Sequence, residues 1–341
     1  MIFFKNDYSE GMHLKVLDAI IQTNNEQLIG YGEDIHSLNA QEMIKTAIKQ
    51  PNADVHLLVG GTQTNLIAIS AFLRPHEAVI STSLGHIANH ETGAIEATGH
   101  KVIAMPCQNG ILTAKMIEQA MLLNTTEHMV KPKMVYISNS TELGTIYTKK
   151  MLKEVYDACQ KYGLYLYLDG ARIAVALTCQ KNDLTLEEIS QMCDAFYIGG
   201  TKCGAIIGEA LVILNENLKA DLRYYIKQKG AMLAKGRLAG VTFEALMRDN
   251  LLFEIAKNAN ETALMLTKVL KKHNIEFEIE TETNQIFVNI SNELEQKLQE
   301  FCHYEVCVVY ENSVQVRFVT SFATPKSDIV KFDEILTEIL A

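Results

Sequence analysis

The sequence has few of the features that mark disordered or membrane-spanning chains. Only 5 of its 341 residues are proline, and together with the 19 glycines they leave no room for a long disordered tract. No apolar run reaches membrane-spanning length, and from the opening MIFFKNDYSEG we expect neither a signal peptide nor an anchor. The composition is 48% hydrophobic and 21% charged, so we predict a compact folded protein of about two domains.

Basic clusters and paired cysteine motifs are also missing. The net charge is −10, and the basic residues cluster no further than the pairs Lys149-Lys150 and Lys271-Lys272, which argues against a nucleic-acid or anionic-membrane partner. The 7 cysteines form no CxxC pair and lie mostly in apolar segments, where cysteine acts as a small hydrophobic residue. We therefore expect a cytoplasmic protein that acts on a small molecule.

Between residues 50 and 215, short β-rich runs alternate with helical patterns. The predicted strands are VHLLV (55–59), AVIST (78–82), KVIAM (101–105), KMVYIS (133–138), LYLYLD (164–169), AFYIGG (195–200) and ALVILN (210–215). The candidate helices are 63–74, 113–123, 149–162 and 185–193. This alternation predicts a mostly parallel sheet covered on both faces, which is a three-layer α/β domain.

The C-terminal third has a different pattern. One helical stretch runs from Arg237 to His273, and its length predicts a break near Arg248-Asp249-Asn250. The runs FEIET, IFVNI, VCVVY and VQVRFV follow, with helices near 291–302 and 326–340. We therefore predict a large domain over 1–248 and a smaller α+β domain over 249–341.

Two predicted strands end in residues that suit a phosphorylated ligand. In a parallel α/β sheet, ligands bind beyond the carboxyl ends of the strands. VHLLV runs into GGTQTN, where glycines and Thr62 open a helix whose free N–H groups suit a phosphate. LYLYLD ends at Asp169, with Arg172 three residues on. Taken alone, each feature is equally an ordinary turn, cap or salt bridge.

A lysine and a histidine complete the pattern. Lys202 lies between apolar runs in YIGGTKCGAIIGEA and follows Asp169 by 33 residues, about one crossover unit, so the two side chains can meet above adjacent strands. His86 follows AVIST, although a lone loop histidine is more often structural. Pyridoxal 5′-phosphate requires this combination: a lysine for the Schiff base, a carboxylate for the pyridine nitrogen and a helix end for the phosphate. Desolvation in apolar surroundings also lowers the pKa of an amine.

The motifs GGTKCGAIIGEA, DGAR, GGTQTN, GHIANHETGA and YGED resemble those of the low-specificity L-threonine aldolases, from Asp7 to about Arg317 and in family order. These are pyridoxal-phosphate enzymes of the aspartate-aminotransferase type, fold type I. The resemblance implies a lyase that cleaves the Cα–Cβ bond of threonine or allo-threonine to glycine and an aldehyde. It also implies a homodimer or homotetramer with its active sites at subunit interfaces.

The resemblance assigns a role to each candidate residue. Lys202 would form the Schiff base, Asp169 would contact the ring nitrogen, and His86 would stack on the cofactor. Gly61, Thr62 and Gln63 would bind the cofactor, the first two at its phosphate. Arg172 would contact the cofactor and the substrate carboxylate, and Asn6 and Arg317 would contact the substrate. Tyr31 would lie at the neighbouring subunit's site.

The sequence departs from the family motifs at two places. The segment Ser138–Glu142 replaces Glu-Asn-Thr-His-Asn, so Thr141 stands in place of a histidine and proton handling would fall on His86 or a bound water. Lys5-Asn6-Asp7 replaces Arg-Ser-Asp, and Asn6 could still donate a hydrogen bond to a carboxylate. The same lysine and aspartate would also serve β-elimination, racemisation or transamination. A binding protein without catalysis is disfavoured by the intact Lys202, Asp169 and Arg172.

Overall fold

A computed structural model describes every residue from Met1 to Ala341. Its strands are β1 (Ile2–Phe3), β2 (Asp54–Leu58), β3 (Glu77–Thr82), β4 (Lys101–Met105), β5 (Lys131–Ser138), β6 (Tyr165–Asp169), β7 (Ala195–Gly199), β8 (Glu209–Ile213), β9 (Glu276–Phe277), β10 (Gln285–Ser291), β11 (Cys302–His303), β12 (Glu305–Val309) and β13 (Ser313–Val319). Its α-helices are α1 (Leu14–Thr23), α2 (Ile35–Ile48), α3 (Gly61–Phe72), α4 (His86–Asn89), α5 (Ala114–Leu123), α6 (Lys149–Tyr162), α7 (Ile173–Thr178), α8 (Leu186–Gln191), α9 (Leu222–Gln228), α10 (Arg237–Met247), α11 (Leu251–Lys272), α12 (Asn292–Leu298) and α13 (Lys326–Leu340). None of these helices combines the length and the apolar composition needed to cross a bilayer.

Seven strands form the large sheet, in the order β2-β8-β7-β6-β5-β3-β4. Neighbouring strands run parallel throughout, except that β8 is antiparallel to both β2 and β7. Each of these strands coincides with a predicted one to within a few residues. The prediction of a mostly parallel sheet is confirmed.

Helices cover both faces of this sheet. On one face Ile44 of α2, Leu152 of α6 and Phe243 of α10 are fully buried in a shared core. On the other face Ile67 of α3 and Leu222 of α9 are buried in a second core. Burying a side chain of this size contributes roughly 1.5–3 kcal/mol. The three-layer α/β prediction is therefore confirmed.

Helix α6 shows how local sequence places a functional strand. Thr148 caps the N-terminus of α6 with its side chain, and Gly163 ends the helix at a φ of 64°, which is a left-handed conformation that glycine adopts readily. Leu152 and Val155 turn toward the core. The helix thereby returns the chain to the sheet, so that β6 lies parallel to β5 and ends at Asp169.

The long helical stretch breaks where the sequence predicts. Helix α10 ends at Met247 and α11 begins at Leu251, because Asp249 and Asn250 adopt left-handed φ values of 53° and 55°. Helix α11 then connects two cores: Leu252 packs in the core of the large sheet and Leu266 in the core of the smaller one.

The C-terminal strands form an antiparallel sheet in the order β12-β13-β10-β9. With α11, α12 and α13 it encloses a core that includes Val316 and Phe332, which confirms the smaller α+β unit. The N-terminal strand β1 pairs with β11, and Ile2 and Phe4 are buried in the same core. The domain boundary between 248 and 249 stays a prediction.

Candidate active site

A cavity of about 350 Å³ lies at the edge of the large sheet where the parallel strands have their carboxyl ends. The segments that follow β2, β3, β5, β6 and β7 line it, together with the start of the antiparallel β8. Six predicted site residues are among its lining residues: Gly61, Thr62, His86, Asp169, Arg172 and Lys202. The sheet topology thus brings together residues that are far apart in the sequence.

Asp169 is a buried carboxylate held by four hydrogen-bond donors. Its Oδ1 accepts from the Tyr197 hydroxyl at 2.5 Å and from the Ala171 backbone N at 2.9 Å. Its Oδ2 accepts from the Tyr136 hydroxyl at 2.6 Å and from Asn65 Nδ2 at 3.0 Å. Burial by itself raises the pKa of the carboxyl, but the hydrogen bonds from Tyr136, Tyr197 and the Ala171 backbone, together with the nearby His86, lower it below its ordinary value. Asp169 is therefore a fixed negative charge.

Lys202 follows β7, the strand next to β6, and faces the same cavity as Asp169. Removal of the amine from bulk water lowers its pKa, and the charge of Arg172 lowers it further. The carboxylates of Asp7, Asp169 and Glu209 oppose this shift without reversing it. A lowered pKa favours the neutral amine, which is the form that attacks a carbonyl carbon.

A buried carboxylate fixes the imidazole of His86, which begins α4 just after β3. Nδ1 of His86 lies 2.8 Å from Oε1 of Glu91, and the same Oε1 accepts a hydrogen bond from Asn65 Nδ2 at 2.8 Å. Because Asn65 also donates to Asp169, hydrogen bonds connect the imidazole with the strand-end carboxylate. The backbone N of His86 donates to Glu142 at 2.9 Å. Both the ring and its backbone are thus held in place.

The N-terminus of α3 contributes backbone donors. Its N-cap residue, Gly60, makes no side-chain cap, so the first N–H groups of the helix remain available to a ligand. At Gly61 an added Cβ would lie 3.0 Å from the Tyr197 hydroxyl, which leaves little room for a side chain. Gln63 turns back instead: its Oε1 accepts from the Val59 backbone N at 3.2 Å, and it does not line the cavity.

Arg172, which follows β6, and Arg317, which lies on β13, differ in their hydrogen bonds. Arg172 pairs with the buried Asp7 through two hydrogen bonds, from Nε at 2.7 Å and from one terminal nitrogen at 3.1 Å. Asn284 also donates to Asp7, at 2.9 Å. Arg317 on β13 has a buried Nε without a hydrogen-bond partner. Burial lowers the pKa of Arg317 and the charge of Arg172 lowers it further, so the two guanidinium groups influence each other across the cleft.

Arg317, Asn6 and Tyr31 do not line this cavity within the single chain. The side-chain oxygen of Asn6 accepts hydrogen bonds from the Tyr8 backbone N at 3.1 Å and the Ser9 hydroxyl at 2.7 Å. Tyr31 borders a separate small cavity, is 46% exposed and lies under the Lys227 amine, 4.8 Å from the ring centroid. Their assigned roles stay predictions.

The segment after β5 carries a carboxyl close to His86. Thr141, at the position of the missing histidine, is buried and hydrogen-bonds to Thr145 at 2.6 Å. Glu142 lines the cavity, and its Oε1 accepts from the Ser138 hydroxyl at 2.7 Å. Burial raises the pKa of Glu142. This segment therefore contributes a carboxyl where the family motif has a histidine and an asparagine.

Five residues of the site escaped the sequence analysis. Tyr136, Tyr197 and Asn65 hold Asp169, Thr201 lines the cavity beside Lys202, and Glu209 begins β8. The tyrosines had a signal, because they lie in KMVYIS and AFYIGG, the strands on either side of LYLYLD. Glu209 also had one, since a single carboxyl opening an apolar strand run is unusual.

The chemistry of these residues fits pyridoxal phosphate. The cavity offers an amine with a lowered pKa, an ionised carboxylate and a fixed imidazole. The uncapped start of α3 offers backbone N–H donors suited to a phosphate oxygen, and Thr201 lines the same cavity. The fold and the site together define a pyridoxal-phosphate-dependent enzyme of fold type I.

Known proteins agree with this class. Residues 15–293 match the family model described as beta-eliminating lyase. A low specificity L-threonine aldolase of a Pseudomonas species is 28% identical over 295 residues, which cover 84% of each chain. The structure of Leishmania major threonine aldolase matches with a TM-score of 0.99 and 47% identity over 100% of both chains. A single mutant of Thermus thermophilus aspartate aminotransferase, at 13% identity, shares the fold, with a TM-score of 0.74 over 99% of this chain and 91% of its own.

The chain belongs to the beta-eliminating lyase family and, within it, to the threonine aldolase family. It is a lyase, and its cofactor is pyridoxal phosphate. The predictions of family, fold class and cofactor made from the sequence are confirmed.

Proposed function

We propose that this lyase cleaves the Cα–Cβ bond of a β-hydroxy-α-amino acid, threonine or allo-threonine, and releases glycine and an aldehyde. One observation carries the proposal: Lys202, Asp169 and His86 follow three different strands and line one cavity. The Leishmania and Pseudomonas relatives, which are named as threonine aldolases, support the choice of substrate.

Three groups of this chain would hold the cofactor. Lys202 would bind its aldehyde carbon through the neutral amine, and Asp169 would keep the ring nitrogen protonated. Gly61 and Thr62 would donate backbone N–H groups to the phosphate. When bound, the cofactor supplies an electron-withdrawing ring that stabilises negative charge at Cα of the substrate. The lowered pKa values of Lys202 and Asp169 support these roles.

His86 would accept the proton of the β-hydroxyl group. Its Nδ1 is bonded to Glu91, so the ring keeps one orientation, and a carboxylate next to the ring stabilises the imidazolium that forms. As the proton moves to His86, the hydroxyl carbon becomes the aldehyde carbonyl and the Cα–Cβ bond breaks. The electron pair of that bond stays on the glycine fragment, where Cα then takes up a proton.

Arg317 would bind the substrate carboxylate, and Arg172 would assist. Arg172 already donates two hydrogen bonds to Asp7, whereas the buried Nε of Arg317 has no partner. A guanidinium with free donors suits a planar carboxylate. Because Arg317 comes from the small sheet, the substrate would lie between the two sheets.

A homo-oligomer, dimer or tetramer, would place Tyr31 at the neighbouring subunit's site. Exposed apolar side chains near the N-terminus support this arrangement: Leu14, Ile21, Ile29, Ile35 and Leu38. A cytoplasmic location is supported by the seven cysteines, none of which is paired in a disulfide. Light scattering of the purified holoenzyme would give the subunit number, and a monomer would contradict the placement of Tyr31.

The description of the matching family favours a second candidate, β-elimination from an amino acid with a leaving group at Cβ. Lys202 and Asp169 would serve that reaction as well, but it needs no base for a β-hydroxyl proton. The bonded orientation of His86 therefore favours the aldol cleavage.

A direct assay separates the two reactions. The purified holoenzyme is incubated separately with L-threonine and L-allo-threonine for acetaldehyde release, and with L-serine for pyruvate release; Lys202→Ala is the control. We expect acetaldehyde from at least one threonine isomer and none from the control. Pyruvate from serine without acetaldehyde from either isomer would replace the aldolase proposal by β-elimination.

A further inference from the structure

Glu209 is a buried carboxyl that the proposed reaction does not use. It begins β8, where it pairs with Leu58 at the end of β2 on one side and with Gly199 at the end of β7 on the other. The first of these strands leads into the uncapped start of α3, and the second leads into Thr201 and Lys202. Glu209 therefore lines the cavity between the backbone donors of α3 and the lysine.

Only weak contacts balance the charge of this carboxyl. Its Oε2 accepts one hydrogen bond, from the Gly200 backbone N at 3.2 Å. Burial raises its pKa, and the Thr201 hydroxyl and the charge of Lys202 offset burial only in part. The elements packed against it present the following titratable groups: Lys202 after β7, Asp169 and Tyr167 on β6, and Tyr197 on β7. The start of α3 presents no titratable side chain.

An ionised carboxyl would oppose a phosphate at this place. Phosphate oxygens accept hydrogen bonds and carry negative charge, so a carboxylate at contact distance repels them. A protonated carboxyl has one O–H donor instead, as does the hydroxyl of Thr201 beside it. The backbone N–H groups at the start of α3 are the other donors in this part of the cavity.

We propose that Glu209 belongs to the cofactor's phosphate site and enters it as a protonated carboxyl group that donates a hydrogen bond to a phosphate oxygen. The inference rests on the proposed function, which places the cofactor in this cavity. It links cofactor binding to proton uptake, because the carboxyl must be protonated in the complex. Affinity for the phosphate therefore falls as the pH rises through the pKa of Glu209 in the free protein, and the fall ends at the higher pKa of the complex.

The test compares pyridoxal phosphate with pyridoxal, which has the same aldehyde and ring but no phosphate. Dissociation constants of both ligands are measured by absorbance from about pH 6 to about pH 9, a range that includes a raised carboxyl pKa. Titration of Lys202 and Asp169 affects both ligands and cancels in the ratio of the two constants. Glu209→Gln keeps an N–H donor at every pH. Glu142→Gln is the matched control, because it removes another carboxyl that lines the same cavity.

At each pH, the dissociation constant of pyridoxal phosphate is divided by that of pyridoxal. In the wild type this ratio should rise with pH more steeply than in Glu209→Gln, by up to about tenfold per pH unit. Glu142→Gln should follow the wild type. Equal pH slopes in the wild type and Glu209→Gln would overturn the inference. A loss of affinity for both ligands alike in Glu209→Gln would also overturn it, since Glu209 would then only balance the charge of Lys202.

A calorimetric readout needs no variant. Binding of each ligand to the wild type is measured near pH 9 in two buffers of different ionisation enthalpy, which gives the protons taken up. Pyridoxal phosphate should take up more protons than pyridoxal, by at most about one. Equal uptake would refute the role of Glu209 while leaving the proposed function intact. Failure of both ligands to bind would overturn the proposed function together with this inference.

Discussion

The cavity wall formed by the large sheet and the neighbouring small sheet differ in how their charged side chains are bonded. On the wall formed by the large sheet, Asp169 has four donors and His86 is bonded to a buried carboxylate. Arg172 on the same wall is paired with Asp7. On the small sheet, which contributes no lining residue to the cavity, the buried Nε of Arg317 has no partner.

This difference separates two tasks. Groups already fixed by hydrogen bonds need no reorganisation when charge develops in a reaction. A buried N–H without a partner costs about 1–3 kcal/mol, which a bound carboxylate would recover. Under the proposed function, the large-sheet wall sets the chemistry and Arg317 of the small sheet binds the substrate.

Replacing Asp169 should have the largest effect on turnover. Asp169→Asn is nearly isosteric and should fold, but it removes the charge opposite the ring nitrogen. We expect threonine cleavage to fall on the order of 10²–10³-fold. Steady-state kinetics of the holoenzyme measure this, with Tyr197→Phe, which removes only one donor to Asp169, as a milder control. Undiminished turnover in Asp169→Asn would remove this residue from the site.

His86→Phe should retain a flat ring above the cofactor while losing the group that accepts the proton. We expect cofactor absorbance to persist and threonine cleavage to slow by at least about 100-fold. His90→Phe is the matched control: His90 lines the same cavity and has no carboxylate partner, so it should lose less. Near-normal turnover in His86→Phe would reduce His86 to a stacking surface, and the base would be sought in Glu91, Glu142 or a bound water.

The sequence predicted the large-sheet wall better than the part played by the small sheet. Alternating strands and helices predict that the carboxyl ends of parallel strands lie at one sheet edge, so Lys202 and Asp169 could be brought together from their spacing. The tyrosines lie in predicted strands, but their bonds to Asp169 depend on strand order, which the sequence pattern does not give. Only the family resemblance suggested that Arg317 lies near the substrate. Whether its Nε has a hydrogen-bond partner depends on how the two sheets pack, and the sequence pattern does not give that packing. The pairing of Arg172 with Asp7 joins residues 165 positions apart and left no local signal.

The two arginines should separate binding from stability. Arg317→Lys keeps the charge but loses the planar donors, so KM for threonine should rise about tenfold, equivalent to about 1.4 kcal/mol. Its unfolding free energy should change little, because the native side chain has few partners to lose. Arg172→Ala leaves Asp7 buried and unpaired, which should lower the unfolding free energy by about 3 kcal/mol. Urea denaturation and substrate kinetics on both variants test this contrast, and equal stability losses would contradict it.

Acid should weaken the ion pair between Asp7 and Arg172. Burial raises the pKa of Asp7, but the charges of Arg172 and Lys202 and the hydrogen bonds from Arg172 and Asn284 together outweigh burial, so the net pKa is lowered. A carboxyl with a depressed folded-state pKa stabilises the fold above its unfolded value of about 3.9, and this stabilisation is lost as the pH falls through the folded value. The Tm difference between wild type and Asp7→Asn should therefore be constant near neutral pH and shrink below about pH 4. A difference that does not shrink in acid would show that Asp7 stabilises the protein without its charge.

The central claim is that the large-sheet wall binds the cofactor through Lys202. Borohydride reduction of the holoenzyme, followed by peptide mass spectrometry, tests it most directly because reduction makes the bond between a lysine and the cofactor permanent. We expect the cofactor's mass on the peptide that contains GGTKCG, at Lys202, and no label after the same treatment of Lys202→Ala. Label on a different lysine, or an unlabelled wild type that has bound cofactor, would contradict the account.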